Sequence, residues 1–356
     1  MRIAQIAPLI ESVPPRLYGG TERMVSYLTE ELVHQGHEVT LFASGDSVTL
    51  AQLEICLPTA IRLTPSISNP LPYYMIMFRE VARMAHRFDI LHFHTDFLHF
   101  PLLPCFGVPA VTTLHGRLDI PDLQPLYDVF NDVPVVSISN HQRRSLPQAS
   151  WAATVYHGLP AAHLPFTLKP QGGYLAFLGR ISPEKRVDRA IAIAREAGMK
   201  IRIAAKVDVA DREYFVREIE PLLTHPLVEY IGEIDDRRKG EFLGNARALL
   251  FPIDWPEPFG LVMIEAFACG TPVIAWPCGS VPEVLEHGRT GFIVSSIAEA
   301  AKAAHLATSL ERTQIRRRFE DRFSATRMAA DYLALYRRML RSRAAAPMGK
   351  TLAALQ

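Results

Sequence analysis

The sequence predicts an α/β protein of two domains, each built around a parallel sheet. At 356 residues the chain is long enough for two ordinary domains. Apolar segments of strand length alternate with segments of helical length over residues 2–156 and again over 174–294, and strands separated by helices pair in parallel. Between the two series, residues 158–173 are rich in proline and glycine, as interdomain linkers are.

Composition limits the function classes. The chain is 49% hydrophobic and 21% charged, which is typical of a globular protein rather than a disordered one. Lys plus Arg number 38 against 37 Asp plus Glu, so we expect no nucleic-acid partner. The four cysteines form no C-x-x-C pair, residues 1–8 do not resemble a signal peptide, and no stretch approaches the roughly 20 apolar residues that span a bilayer. We therefore expect a cytoplasmic protein, with peripheral membrane contact left open.

The first series begins with a strand, a glycine pair and a helix. Residues 2–7 are predicted as the strand, Thr21 as the N-cap of a helix that runs to about Gln35, and residues 38–43 as the next strand. Gly19 and Gly20 before this helix either let the backbone approach a ligand closely, as in phosphate-binding loops, or simply form a turn. The remaining predictions are a helix at 74–87 and strands at 89–94, 109–114, 134–139 and 153–156.

Histidines stand at strand ends in this series. His115 follows the strand at 109–114, and ligands of parallel sheets bind at the carboxyl ends of the strands. His115 is thus predicted either to serve a sugar hydroxyl or a proton transfer, or to cap local backbone. His92, His94 and His99 raise a metal hypothesis, but no cysteine or carboxylate at ligand spacing accompanies them, so we expect no metal site.

The second series carries two cations after its first strand. Arg180 and Lys185 follow the strand at 174–178, where a delocalised and a compact cation would neutralise a diphosphate without metal, unless they are merely solvated. The series continues with helices at 187–197, 211–223 and 238–247, strands at 200–205, 228–231, 248–252 and 271–275, a short helix and final strand within 279–294, and helices over 297–341.

Two carboxylates, Glu257 and Glu265, stand with seven residues between them. Prolines disfavour helix before Phe259, whereas the residues from Leu261 allow a helix that Gly270 ends. The chain between the carboxylates is therefore predicted to change from loop to helix.

The start of that helix is a candidate anion site. Free amides near Phe259, Gly260 and Leu261 lie at the positive end of the predicted helix. A diphosphate there would have a sugar against one carboxylate and a ribose against the other. The alternative is an amphipathic helix with two solvated glutamates.

In combination, these segments resemble the retaining GT-B glycosyltransferases of family 4. The donor-binding half of that family has a glutamate, a Pro-Phe-Gly-Leu-like turn, a second glutamate followed by alanine, Gly-x-Pro-Val, and Gly-x-x-Gly before a strand. The matching segments are Glu257, Pro258-Phe259-Gly260-Leu261, Glu265-Ala266, Gly270-Thr271-Pro272-Val273 and Gly288-Arg289-Thr290-Gly291. Gly179-Arg180 with Glu184-Lys185, Tyr18-Gly19-Gly20-Thr21-Glu22 and Leu114-His115-Gly116 match as well, so the resemblance extends over residues 1 to about 340.

The resemblance implies the GT-B architecture, which consists of two Rossmann-like doubly wound domains facing each other across a cleft. Residues 1–165 would form the acceptor-binding domain and residues 166–323 the nucleotide-sugar-binding domain. The helix at 324–341 would cross back to pack against residues before 165, and residues 342–356 would be a mobile tail.

The resemblance also implies roles for individual residues. Arg180 and Lys185 would hold the diphosphate, with backbone amides near Gly19 and Gly20 and from Phe259 through Gly260 to Leu261. Glu265 would accept hydrogen bonds from the ribose. The catalytic residues would be Glu257, which positions the transferred sugar, and His115, which contacts the sugar on the acceptor side.

The implied activity is retaining transfer of a hexose or N-acetylhexosamine from a UDP-sugar, or less often a GDP-sugar, to a hydroxyl. The acceptor class, whether glycan, lipid-linked or small molecule, stays open, and neither cofactor nor divalent metal is expected. Two alternatives also remain: a nucleotide-sugar 2-epimerase of the same fold, and a non-catalytic sugar-nucleotide-binding scaffold. Ile203-Ala204-Ala205-Lys206 replaces the glycine-rich strand end usual in the family, which leaves the donor identity open.

Overall fold

The structure, a computed structural model, describes residues 1–16 and 19–345. The chain divides into two units. The first consists of Met1–Ile138, Ser145–Val155 and the chain from Ala325, and the second of Ser139–Arg144 and Tyr156–Ser324. The chain leaves the first unit at Val155, earlier than the boundary expected at residue 165, and a short stretch before it already belongs to the second unit.

The first unit is built on a parallel sheet of seven strands in the order β3-β2-β1-β4-β5-β6-β7 within the described residues. The strands are β1 (Arg2–Ile6), β2 (Glu38–Ser44), β3 (Gln52–Leu57), β4 (Ile90–Phe93), β5 (Ala110–Thr113), β6 (Pro134–Ser137) and β7 (Ser150–Thr154). The sequence did not reveal β3, because this outer strand is only partly buried and its Ile55 is 59% exposed. A strand in which exposed and partly buried residues are mixed lacks the apolar pattern that identifies central strands.

Between these strands, the described residues form the helices α1 (Gly20–His34), α2 (Leu71–Met84), α3 (Leu103–Phe106) and α4 (Leu123–Val129). The predicted N-cap at Thr21 is wrong: α1 begins at Gly20, and Gly19 is its N-cap. Helix α2 lays Met77, Phe78 and Val81 on the sheet, where they form an apolar core with Phe93.

The second unit is built on six parallel strands in the order β10-β9-β8-β11-β12-β13 within the described residues. They are β8 (Leu175–Arg180), β9 (Ile201–Lys206), β10 (Val228–Gly232), β11 (Ala248–Phe251), β12 (Val273–Ala275) and β13 (Gly291–Ile293). In both sheets the chain starts at an inner strand, adds strands on one side and then adds strands on the other side. This is the doubly wound Rossmann-like topology.

The helices of the second unit are α5 (Val187–Ala197), α6 (Arg212–Tyr214), α7 (Asp236–Gly244), α8 (Leu261–Ala268), α9 (Val281–Val284), α10 (Ile297–Leu306) and α11 (Arg312–Phe323). The single helix predicted over 211–223 is wrong. After α6 the chain changes to a π turn at Phe215–Ile219 and a 3-10 turn at Glu220–Thr224, since Pro221 has no amide proton for an α-helical bond.

The last helix, α12 (Ala325–Ala345), packs within the first unit. Its Tyr332 and Tyr336 are buried, and their hydroxyls contact β5 and β4 respectively. The helix continues to Ala345, whereas the tail was expected to begin at residue 342; residues 346–356 lie outside the described part of the chain. No helix within residues 1–16 and 19–345 is both long and apolar enough to cross a membrane.

Candidate functional site

In the second unit, two loops meet beside the point where the strand order reverses, between β8 and β11. Each loop leaves the carboxyl edge of the sheet, the edge at which the strands end. The loop after β8 carries a 3-10 turn at Pro183–Lys185, and Asp254 in the loop after β11 donates its amide to the carbonyl of Glu184 at 3.0 Å. Ligands of doubly wound sheets bind at this topological position.

Lys185 and Glu257 join the two loops through an ion pair between Nζ and Oε2. Their side chains are only 17% and 14% exposed. The Lys185 ammonium also lies 4.9 Å from the ring of Trp255 and 5.8 Å from that of Phe251, and cations are attracted to aromatic faces at these distances. The sequence-predicted cation and carboxylate therefore lie together, each in a fixed position.

Arg180, at the end of β8, is balanced by acidic side chains. Its guanidinium lies 3.3 Å from a carboxylate oxygen of Glu184 and 3.3 Å from one of Asp208, and 3.9 Å from Asp211. Lys206 pairs with the other oxygen of Asp208 at 2.9 Å, and the bonds from Lys206 and Arg180 lower the pKa of Asp208. An anion that binds Arg180 must compete with these carboxylates.

Glu265 lies in the second turn of α8 with its side chain 8% exposed. Lys239 on α7 donates to Glu265 Oε1 at 3.0 Å and also contacts Asp236 at 3.0 Å. Lys239 could not be identified from the sequence, because it lies on a different helix and no spacing connects it to the motif. The lysine fixes the position of one oxygen of this buried carboxylate.

The segment Phe259-Gly260-Leu261 forms the start of α8. The Phe259 side chain is buried, with its ring centroid 5.0 Å from that of His157, so only its backbone is available for a ligand role. Gly260 is the N-cap with φ 78, and a Cβ there would lie 3.2 Å from the Phe251 ring, so the position favours glycine. The first amides of a helix have no partners within it and favour anions.

In the first unit, Gly19 and Gly20 lie at the start of α1. A Cβ on Gly19 would lie 2.7 Å from Cβ of Pro15, so close packing of the backbone explains this glycine. The Gly19 carbonyl accepts the first helical bond, from Arg23 N, at 3.1 Å. Tyr18 of the same motif lies outside the described residues.

His115 follows β5 at the carboxyl edge of the first sheet. Its Nε2 lies 2.9 Å from Nδ1 of His94. Burial of the ring lowers the pKa of His115 to about 3, although part of the residue reaches the surface. The imidazole is therefore neutral at physiological pH and acts through hydrogen bonds rather than charge.

The other histidines of the first sheet are engaged in hydrogen bonds and ring contacts. His99 Nε2 lies 2.8 Å from Thr112 Oγ1, and its ring stacks on Phe93 with centroids 3.7 Å apart. His92 and His94 have ring centroids 4.1 Å apart. Among the residues that the structure describes, no group of three or more His, Cys, Asp or Glu side chains is arranged to hold a metal ion.

The predicted residues thus fall into two groups. Arg180, Lys185, Glu257 and the segment leading through α8 to Glu265 gather at the carboxyl edge of the second sheet. His115 and the glycine pair lie at the carboxyl edge of the first sheet or in the loop that leaves it.

Two family models match this chain, each over a different part of it. The model of glycosyl transferases group 1 matches residues 165–323, and that of glycosyltransferase family 4 matches residues 18–202. A phosphatidyl-myo-inositol mannosyltransferase of Mycolicibacterium smegmatis is 26% identical over 351 residues, covering 89% of this chain and 86% of the relative. A glycogen synthase of Mycobacterium tuberculosis is 22% identical over 388 residues, covering 91% and 93%.

Solved structures show the same fold. AviGT4, a glycosyltransferase involved in avilamycin A biosynthesis, is 22% identical with a TM-score of 0.72, covering 96% of this chain and 98% of its own. Sucrose-phosphate synthase from Thermosynechococcus elongatus is 19% identical with a TM-score of 0.77, covering 96% and 99%. Anabaena HepE in complex with UDP and glucose is 19% identical with a TM-score of 0.70, covering 94% and 98%.

The two doubly wound units and their likeness to these structures define the GT-B fold. More specifically, the chain belongs to glycosyltransferase family 4.

Proposed function

We propose that this glycosyltransferase moves a hexose or N-acetylhexosamine from a nucleotide-diphosphate sugar to a hydroxyl acceptor, with retention of the anomeric configuration and without a divalent metal. A UDP-sugar is the favoured donor and a GDP-sugar the alternative. The observation that carries the proposal is the joining of Lys185 and Glu257 at the strand-order reversal of the second sheet. At this position, the fixed cation and the start of α8 suit the diphosphate of such a donor. The fixed carboxylate suits its sugar.

The reaction is driven by stabilisation of the leaving group. When the bond between the anomeric carbon and the phosphate oxygen breaks, negative charge develops on the nucleoside diphosphate. Arg180, Lys185 and the first amides of α8 stabilise this charge from positions fixed before the reaction. Because protein cations fill this role, the transfer needs no divalent metal.

Each carboxylate has a separate task. Glu265, held by Lys239 at 3.0 Å, accepts hydrogen bonds from the ribose. Glu257 positions the transferred sugar and stabilises the positive charge that develops at its anomeric carbon. In a same-face mechanism the leaving phosphate accepts the proton of the attacking hydroxyl, so neither glutamate acts as a covalent nucleophile.

The donor preference rests on comparison and the acceptor stays open. HepE was solved with UDP and glucose, which favours UDP, whereas another relative is a mannosyltransferase that acts on phosphatidyl-myo-inositol by its name. Glycogen synthase extends the acceptors of relatives to a polysaccharide. A glycan, a lipid-linked molecule and a small molecule therefore all remain acceptor classes for this chain, and a lipid acceptor would require peripheral membrane contact.

A binding screen followed by a reaction assay tests the proposal. Thermal shift and calorimetry with UDP, GDP and their common sugars, in EDTA, should show saturable binding of one nucleotide. Glu265→Ala should lose this binding, whereas Glu196→Ala, a change of an exposed glutamate on α5, should retain it. Binding by none of these nucleotides would contradict the proposal and favour a scaffold.

The bound donor is then followed by NMR, alone and with candidate acceptors. The proposal predicts a product with the anomeric configuration of the donor, still formed in EDTA. Inversion at the sugar C2 without any acceptor would instead identify a 2-epimerase. Activity abolished by EDTA and restored by Mg²⁺ or Mn²⁺ would contradict metal independence.

A further inference from the structure

The first unit has a groove at the amino edge of its sheet, the edge at which the strands begin. The groove is lined by Ala110 and Pro134, the first residues of β5 and β6, and by Leu335 and Met339 on α12. Its volume is about 530 Å³, which is within the range of small-molecule sites. His115 follows β5 at the opposite, carboxyl edge, so the groove is separate from the candidate site.

The lining of the groove is mainly apolar. Apart from two arginines and Ser342, every residue that lines it is apolar. Leu103, Val108 and Met339 are only partly buried, so the groove leaves apolar surface in contact with water. A ligand with an apolar body would remove this surface from water and would be stabilised by doing so.

The two arginines of the lining are Arg338 and Arg343, both on α12. Nη2 of Arg338 donates to the carbonyl of Ala152 at 2.6 Å, and Nη2 of Arg343 donates to the carbonyl of Gly107 at 2.6 Å. Each bond holds its guanidinium at the groove but uses only one of five N–H donors. Neither guanidinium has an ion-pair partner among the described residues, and no carboxylate lines the groove. A negatively charged group therefore suits this position.

The sequence at the end of α12 has the same charge bias. Residues 332–356 contain no Asp or Glu, whereas Arg337, Arg338, Arg341 and Arg343 all lie within them. The helix dipole favours cations near the end of a helix, but it does not distinguish among these four. Of the four, Arg338 and Arg343 line the groove.

We propose that this groove binds a single-chain anionic amphiphile, such as a fatty acid, with its hydrocarbon chain on the apolar lining and its carboxylate bound by the arginines. The part of α12 that lines the groove, from Leu335 to Arg343, rises by about 12 Å, so a hydrocarbon chain can lie along the helix. Because the groove is at the opposite edge of the sheet from His115, this ligand is neither the sugar donor nor the acceptor. The inference goes beyond the proposed function and does not depend on it.

Calorimetric titration of the full chain with dodecanoate, below its critical micelle concentration, tests the proposal. Binding should be saturable, and the affinity should rise about fourfold per methylene from octanoate to dodecanoate, the equivalent of burying each methylene. Dodecyltrimethylammonium, which has the same chain and the opposite charge, should not bind. Its binding with equal affinity would overturn the role of the arginines. No binding of dodecanoate would overturn the proposal and would leave the groove to residues 346–356 or to a second copy of the chain.

The double variant Arg338→Gln with Arg343→Gln tests the anion site. It should weaken dodecanoate binding about tenfold or more, as expected for the loss of a charged hydrogen bond. Arg337→Gln with Arg341→Gln is the matched control, because it changes the charge of the same helix equally at exposed positions outside the lining. The control should bind like the wild type. Equal losses in both double variants would show that net charge rather than the groove attracts the ligand, which would overturn the proposal.

Ala152→Leu tests the place of the hydrocarbon chain, since Ala152 lines the groove and a larger side chain takes the space of the ligand. It should weaken dodecanoate binding and reduce the gain per methylene. Ala334→Leu, at an exposed position of α12 outside the lining, is the control. Unchanged binding in folded Ala152→Leu would overturn the proposal. Nucleotide affinity should be unchanged in all these variants; if no nucleotide binds at all, the proposed function fails while dodecanoate binding is still measured.

Discussion

The carboxyl edges of the two sheets carry different chemistry, although the strands follow the same order. At the first sheet, His115 and His94 form a hydrogen-bonded pair, and burial keeps His115 neutral. At the second sheet, the candidate side chains are charged and joined in ion pairs, such as Lys185 with Glu257 and Lys239 with Glu265.

The difference matches the two kinds of group that a sugar transfer must recognise. A neutral imidazole suits a hydroxyl, because it bonds without attracting other charges. Fixed cations suit a diphosphate, and their paired carboxylates reduce the cost of holding them partly buried before the ligand arrives. The same topology therefore supports either task, and the side chains at the strand ends decide which one.

The largest effect is expected from a change of Glu257 in the second unit. Glu257→Gln should lower kcat on the order of 10²-fold, comparable to the loss of one preorganised electrostatic contact, because the amide cannot stabilise positive charge on the sugar. The affinity for the nucleoside diphosphate should change much less. Steady-state kinetics and calorimetry separate the two effects. Glu196→Gln, at an exposed position on α5, is the control, and wild-type kcat in Glu257→Gln would contradict the assigned role.

The buried, neutral histidines of the first unit should make the free energy of unfolding depend on pH. Burial lowers the pKa of His99 to about 3, so between its ordinary pKa of 6.5 and 3 the unfolded chain binds a proton that the folded protein does not. The contribution of such a histidine to the free energy of unfolding is fully present above pH 6.5. It is lost as the pH falls, by up to about 1.4 kcal/mol per pH unit for each such histidine. The midpoint temperature of thermal unfolding should therefore decrease as the pH is lowered from 7 to 5.

His99→Gln isolates this contribution. The variant should be less stable at pH 7, because it loses the stacking on Phe93, but its thermal midpoint should fall less steeply with acid. His305→Gln, at an exposed position on α10, should follow the wild-type pH profile. Equal slopes in all three proteins would show that His99 is not held neutral by folding.

The pair between Lys239 and Glu265 predicts a smaller, ribose-dependent effect. Lys239→Met should weaken UDP binding by about tenfold, or about 1.4 kcal/mol, since Glu265 loses the cation that fixes it. Binding of 2′,3′-dideoxy-UDP should be weak in both proteins and differ little between them. Calorimetry measures how much the substitution weakens the affinity for each ligand, with Lys302→Met on α10 as the control. An equal loss for both ligands would indicate a general structural effect instead.

The smallest effect concerns the carboxylates that compete for Arg180. Asp208→Asn should strengthen binding of the nucleoside diphosphate by at most about fivefold, the range of a partly exposed ion pair. Asp254→Asn alters a carboxylate paired with Arg186 and should leave the affinity unchanged. Weaker binding in Asp208→Asn would show that this carboxylate positions Arg180 rather than competing for it.

The sequence predicted the parts of the fold that depend on local pattern. Helix α5 was predicted at its observed bounds, and the central strands were located to within a few residues, because a buried strand is apolar throughout. The outer strand β3 and the interrupted helix near Pro221 were missed, since neither follows a regular pattern. The candidate residues at the second sheet were found because the motif lies within a few short segments.

The partners of those residues could not be predicted in the same way. Lys239 reaches Glu265 from another helix, and Tyr336 meets Gln5 across nearly the whole chain. Periodicity identifies the buried face of a helix but not the side chain that this face meets. Such contacts are set by tertiary packing, and the structure was needed to identify them.

The most direct test of the proposed donor site is a calorimetric titration of UDP and GDP in EDTA with the wild-type protein, Arg180→Ala, Lys185→Ala and Arg195→Ala. Arg195 is exposed on α5 and serves as the matched control. We predict saturable binding of one nucleotide, weakened about ten- to hundredfold by either of the first two changes, as expected for a charged hydrogen bond, and unaffected by the third. Affinity unchanged in both Arg180→Ala and Lys185→Ala would contradict the assignment of the diphosphate to the carboxyl edge of the second sheet.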